Sequence, residues 1–124
     1  MYEQDNGNVT QRFCLAILQK CSVKEGIICT YLDNDLINWV LKLVNVSFKV
    51  KVHMFCLDFA TAMLANIVHS KWCQIHLANK RDQTVQIMDS ILKFIKEPLL
   101  EVSVLMHLLI TLSYLCKEKF KPVM

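Results

Sequence analysis

The sequence predicts an all-α protein that repeats one helical unit, and three observations carry that expectation. Hydrophobic residues make up 54% of the 124, while glycine and proline number only two each. A sheet protein needs a turn every ~8–12 residues, and turns draw on glycine and proline. Apolar residues instead recur at i, i+3 and i+4, the spacing of one helix face. The inferred helices also follow the order long, short, medium, long, short, medium, long.

Met1–Asn8 is a polar N-terminal segment, and residues 9–118 form the helical domain. Asn8 offers a cap to a first helix running to about Cys21, with Phe13, Ile17, Leu18 and Cys21 as its apolar face. Ser22 followed by Glu25 has capping-box spacing and opens a short helix over Lys24–Leu32. Asp33-Asn34-Asp35 supplies a turn before a helix over Leu36–Val44, whose apolar positions are Leu36, Val40, Leu43 and Val44. Asn45–Ser47 interrupts the pattern, and a long helix follows from about Lys49 to Val68.

After a weak break at His69-Ser70, Trp72–Ala78 reads as a short helix, with Trp39 and Trp72 as core residues between neighbouring helices. Asn79–Asp82 is a polar turn. The next helix starts at Asp82 or Thr84 and ends near Lys96, with Val85, Met88, Ile91, Leu92 and Ile95 facing inward. Pro98 suits the first turn of a last helix reaching about Cys116, because the missing N–H costs nothing there. Residues 119–124, broken by Pro122, form a tail or the start of a further unit.

Superposing the apolar ends of the long helices aligns Ile17–Cys21 with Met63–Ile67 and Thr111–Leu115, which puts Lys20, Asn66 and Tyr114 on one rung. Those three residues are 46 and 48 positions apart. Three-helix units of ~40–47 residues are the period of armadillo-type repeats, and about two and a half units fit this chain. Fewer than about three rarely stand alone, and the hydrophobic excess fits end faces covered by neighbours in a longer array or assembly.

The stretch Val9–Val44 resembles the armadillo-repeat family in its succession of third, first and second helices. Ala16–Ser22 looks like the end of a third helix, Leu32–Leu43 like the join of first and second, and Met63–Val68 like the next third-helix end. Within the family the likeness is to ciliary members that carry a LisH dimerisation motif before the array. It rests on Ala16-Ile17-Leu18-Gln19-Lys20, on Leu36-Ile37-Asn38-Trp39-Val40 and on Phe59–Ile67. The resemblance implies a right-handed superhelical solenoid fragment, in a cilium, basal body or other microtubule-based assembly, with tubulin or axonemal proteins as partners.

The chain also departs from the family pattern. Asp33-Asn34-Asp35 replaces the glycine usual between first and second helices. Of the asparagine ladder that binds extended nuclear-localisation peptides only Asn66 is present, and the tryptophan positions hold Ala16, Ala62 and Ile110.

Net charge is +3 with scattered lysines, and no basic stripe with aromatic neighbours points to nucleic acid. Met1–Thr10 is polar, unlike a secretory signal. The six cysteines (Cys14, Cys21, Cys29, Cys56, Cys73, Cys116) are therefore expected as buried reduced thiols in an intracellular, cytoplasmic protein. Val102–Cys116 is the longest uncharged run, too short for the ~18–20 residues that cross a bilayer.

Cys73 and His76 have the spacing of two metal ligands, but zinc needs four and no second pair matches, so no metal or cofactor is expected. Gly7 and Gly26 stand alone and form no phosphate loop. No cysteine–histidine arrangement for catalysis is evident, so no enzyme is expected. Asp58, inside the apolar run Met54–Ala65, belongs either to an exposed stripe with Lys51 and Ala62 or to a contact with a neighbouring repeat. The expected function is a non-enzymatic protein-interaction scaffold whose groove carries Lys20, Asn66 and Tyr114. The alternative is a peptide- or cargo-binding adaptor in transport or signalling.

Overall fold

A computed structural model describes residues 2–117, with side chains from Val9 onward. It contains α1 (Tyr2–Cys21), α2 (Glu25–Asp33), α3 (Leu36–Ser47), α4 (Met54–His69), α5 (Lys71–Leu77), α6 (Arg81–Ile95) and α7 (Val102–Leu115), and no strand among the described residues. The protein is all-α. Among the described residues no helix is long and apolar enough to cross a membrane. The expected segment 119–124 lies outside the described residues.

Each helix packs against the helix three places further along. α1 lies on α4 and α4 on α7, α2 on α5, and α3 on α6. The result is three rows, with α4 at the centre of the longest. Side-chain contacts place the ends of α1, α4 and α7 together, so the helices of that row run in one direction: Asn66 reaches Ser22, and His69 meets Tyr114. Phe48 and Phe94, just past α3 and in the last turn of α6, likewise stack with centroids 5.7 Å apart.

The core runs through all three rows. Leu15, Ile28, Val40, Met63, Leu64, Ile67, Ile91 and Leu108 are almost wholly removed from water, and burying a side chain of that size contributes about 1.5–3 kcal/mol.

Several expected boundaries and faces are corrected. α1 begins at Tyr2, so Asn8 lies within it and does not cap it. In α1 it is Leu15 that is buried, while Phe13 and Ile17 are 68% and 63% exposed, because α4 covers only one side of the helix. α3 continues through Asn45–Ser47, and α4 starts five residues later than expected, at Met54, where His53 Nδ1 accepts from the Phe55 N–H.

α6 buries Thr84, Ile87, Ile91 and Phe94 and leaves Val85 and Leu92 exposed, which rotates the inner face by about one residue. Pro98 lies in the turn before α7. Trp39 is exposed, whereas Trp72 packs partly buried against the core. Cys56 and Cys73 are buried as expected, but Cys14, Cys29 and Cys116 are exposed; none forms a disulfide.

The turns after α2 and α5 share one device. Asp35 (φ 57°) and Asn79 (φ 65°) both adopt the left-handed conformation that favours glycine. Asp and Asn tolerate it better than other side chains because they bond locally, and Asp35 Oδ1 accepts from the Asn38 amide at 2.9 Å. Asp35 thus takes the backbone role of the missing glycine.

Candidate interaction surface

α4 is covered on both flanks, so one stripe of its surface stays open: Phe55, Asp58, Phe59, Ala62, Asn66 and His69 follow one another at helical spacing, none of them buried. This stripe is the floor of a shallow trough walled by α1 and α7. Its upper half is charged at the α7 wall. His107 Nδ1 lies 3.0 Å from Thr61 Oγ1 and 3.5 Å from Asp58 Oδ1. The Thr61 hydroxyl donates to the Leu57 carbonyl at 2.7 Å, which leaves its oxygen free to accept from a His107 tautomer protonated at Nδ1. Asp58 Oδ1 is itself buried without a hydrogen bond. Asp58 thus combines features of both readings: it lies on the open stripe with Ala62, and it faces His107 of α7 at 3.5 Å.

The lower half is bonded through side chains. The Asn66 amide donates to Ser22 Oγ at 2.9 Å, tying α4 to the turn after α1. Ser70 donates to Glu25 Oε2 at 3.1 Å and accepts from the Trp72 N–H, so it caps α5 and holds α2 at once. The capping box expected of Ser22 and Glu25 does not form. Ser22 donates to the Gln19 carbonyl at the end of α1, Glu25 turns to Ser70, and Lys24 occupies the N-cap of α2 without a side-chain bond. A cleft of about 170 Å³ opens here, lined by Ser22, Val23, Glu25, Asn66 and His69 among others.

The three residues expected on one rung meet different fates. Lys20 is exposed on the last turn of α1. Asn66 is half-buried and its amide serves Ser22. Tyr114 is half-buried, its ring 4.6 Å from His69 on one side and 4.8 Å from the Lys117 ammonium. Asn66 and Tyr114 are joined through α4, since His69 is one turn beyond Asn66; no bond links Lys20 to either. Sequence reasoning missed Ser22 and Ser70 as partners that join members of one row. Their signal was present, because both immediately follow or sit one place beyond the ends of α1 and α4, 48 residues apart.

Away from the open stripe, burial shifts three groups, Tyr31, Cys56 and Cys73. Tyr31 donates to the Leu18 carbonyl at 2.8 Å, and its phenol is pushed up by burial and then by nearby Cys21. Burial raises the Cys56 thiol, with the Arg12 charge acting in the opposite direction. Burial pushes Cys73 up to about 12, which leaves it a neutral thiol, poorly suited to bind metal beside His76 or to act as a nucleophile. Among the described residues no three histidine, cysteine or acidic side chains converge as a metal site.

A wider cleft, about 560 Å³, lies between α3 and α6 and is walled by Asn38, Lys42, Asn45, Gln86 and Lys93 over a buried floor of Leu41 and Ile87. It is a wide polar valley on the far row. Comparison of the chain with protein-family models, with curated proteins and with solved structures found no match.

Proposed function

We propose that the chain is a stretch of armadillo-type helical repeat that acts as a non-enzymatic protein-interaction scaffold, with the α1–α4–α7 trough as its working face. The observation that carries this reading is the packing of every helix on the one three places along, the relation stacked three-helix units require. The left-handed residues at Asp35 and Asn79, 44 positions apart in equivalent turns, support it independently.

The two outer members of the long row also leave apolar stripes open. Val9, Phe13 and Ile17 on α1 and Val102, Met106 and Leu109 on α7 are all at least 38% exposed. Interior repeats bury such stripes against the next unit, so these are the faces on which further repeats or assembly subunits stack. The local likeness to ciliary armadillo proteins supplies the setting, with axonemal proteins or tubulin as the partner class.

The test is photo-cross-linking in the cell from positions 20 and 114 in the trough, against positions 42 and 93 on the far row. Cross-links concentrated on the trough positions are expected. Equal or absent cross-linking from both pairs sinks the trough as working face. In ciliated cells the tagged protein should concentrate at basal bodies or axonemes, and a uniform cytoplasmic distribution removes the ciliary setting.

A further inference from the structure

The lower edge of the long row, where α1, α4 and α7 end, collects positive charge. Lys20, Lys24, Lys71 and Lys117 all lie there and all are exposed. Among the described residues none of them has a carboxylate within 4 Å. Cations at helix C-termini are ordinary, because they complement the carbonyl end of the dipole, and that accounts for Lys20 and Lys117.

It does not account for the other two. Lys24 is the N-cap of α2 and Lys71 the first residue of α5, where the dipole disfavours positive charge. Glu25, the acid next to Lys24 among the described residues, is bonded by Ser70 and not by either lysine. Two lysines are also held in place on rings: the Lys71 ammonium lies 5.4 Å from the Trp72 ring centroid and that of Lys117 4.8 Å from Tyr114. Charges placed against a local preference and left unpaired mark a surface kept for a partner.

We propose that this edge binds an extended acidic polypeptide segment laid across the ends of α1, α4 and α7. Helices pack 8–10 Å apart, so three ends span roughly 20 Å, the length of about six extended residues. Carboxylates at that spacing meet Lys24 and Lys20 at one end and Lys117 at the other, with Lys71 between. Nucleic acid fits less well, because lysines already cover the rings of Trp72 and Tyr114 that bases would stack on. The assignment names the partner class of the trough proposed above and rests on that reading.

The experiment is fluorescence anisotropy of a labelled hexaglutamate peptide with the full chain at low salt, with a hexalysine peptide as comparison. Hexaglutamate binding and no hexalysine binding are expected. The pair Lys71→Glu and Lys117→Glu should weaken hexaglutamate at least about tenfold. The pair Lys49→Glu and Lys51→Glu, which makes the same change of net charge at the other end of the row, should weaken it less than about twofold.

Circular dichroism checks that both pairs fold, and the milder Lys71→Gln with Lys117→Gln covers a failure of the first pair. No binding, equal loss in both pairs, or tighter binding of oligouridylate or of phosphatidylserine vesicles through the same lysines overturns the proposal. Trough cross-links that persist while hexaglutamate fails would remove the acidic partner and leave the scaffold standing.

Discussion

α4 and α7 lie side by side in the same row and are close in length, 16 and 14 residues, yet α4 buries nine side chains and α7 four. Composition does not explain the difference, for α7 offers Val102, Leu105, Met106, Leu109 and Ile110 that stay partly or largely exposed. Neighbours do. α4 is flanked by α1 and α7, and α7 by α4 alone within the row. The burial of such a helix is conferred by what stacks on each side of it, so an end helix carries an unfilled share of its own core.

The comparison breaks most directly at one buried and one exposed leucine. Leu64→Ala, at a wholly buried position in α4, should cost about 2–5 kcal/mol in urea unfolding, and Leu109→Ala, 45% exposed on α7, less than about 1 kcal/mol. Similar losses at both positions would mean that α7 is covered in solution.

A pH series sharpens it further. Cys73 is raised from 9.0 to about 12 by burial, so the folded state holds its proton where the unfolded state has released it. The stability this confers is complete below about pH 9 and is lost as pH rises towards about 12, with a slope near 1.4 kcal/mol per pH unit. Cys73→Ala should remove that part of the alkaline slope in chemical unfolding, whereas Cys116→Ala, at the exposed end of α7, should leave it in place.

Smaller effects belong to the bonds between row members. Asn66→Ala should cost about 0.5–1.5 kcal/mol, and adding Ser22→Ala should add only the loss of the Ser22 bond to the Gln19 carbonyl, since the Asn66–Ser22 bond is already gone. Additive losses in the double variant would show that the bond is not made. Asp35→Gly should raise the midpoint slightly, by up to about 1 kcal/mol, because glycine adopts the left-handed turn freely, with the lost Asn38 bond offsetting part of the gain.

The helical class and the succession of helices were legible because they depend on apolar spacing, a local property of the chain. Which side of a helix ends up buried was less so. Phe13 and Ile17 look like core residues of α1, and Val85 and Leu92 of α6, yet all four lie on sides where the described residues supply no covering neighbour. The start of α4 was misplaced because Lys49–His53 carries residues acceptable to a helix, and it is the His53 cap that sets the true start.

The trough was half legible. Superposition brought Asn66 and Tyr114 to neighbouring helix ends, but it gave no hint that Asn66 is engaged with Ser22 or that His107 reaches Thr61 between α7 and α4. Those bonds join residues 44 and 46 positions apart and depend on three-dimensional register.

The unequal placement of the thiols gives the molecule a built-in clock. Cys14, Cys29 and Cys116 meet solvent on α1, α2 and the segment after α7, while Cys56 and Cys73 are sealed in the middle of the stack. An alkylating dye therefore reads Cys14, Cys29 and Cys116 at once, half-buried Cys21 more slowly, and Cys56 and Cys73 only after an opening event. If Cys56 and Cys73 become reactive together, at the rate of global unfolding, the units melt as one body. If one runs ahead of the other, the stack unzips from the end nearer to it.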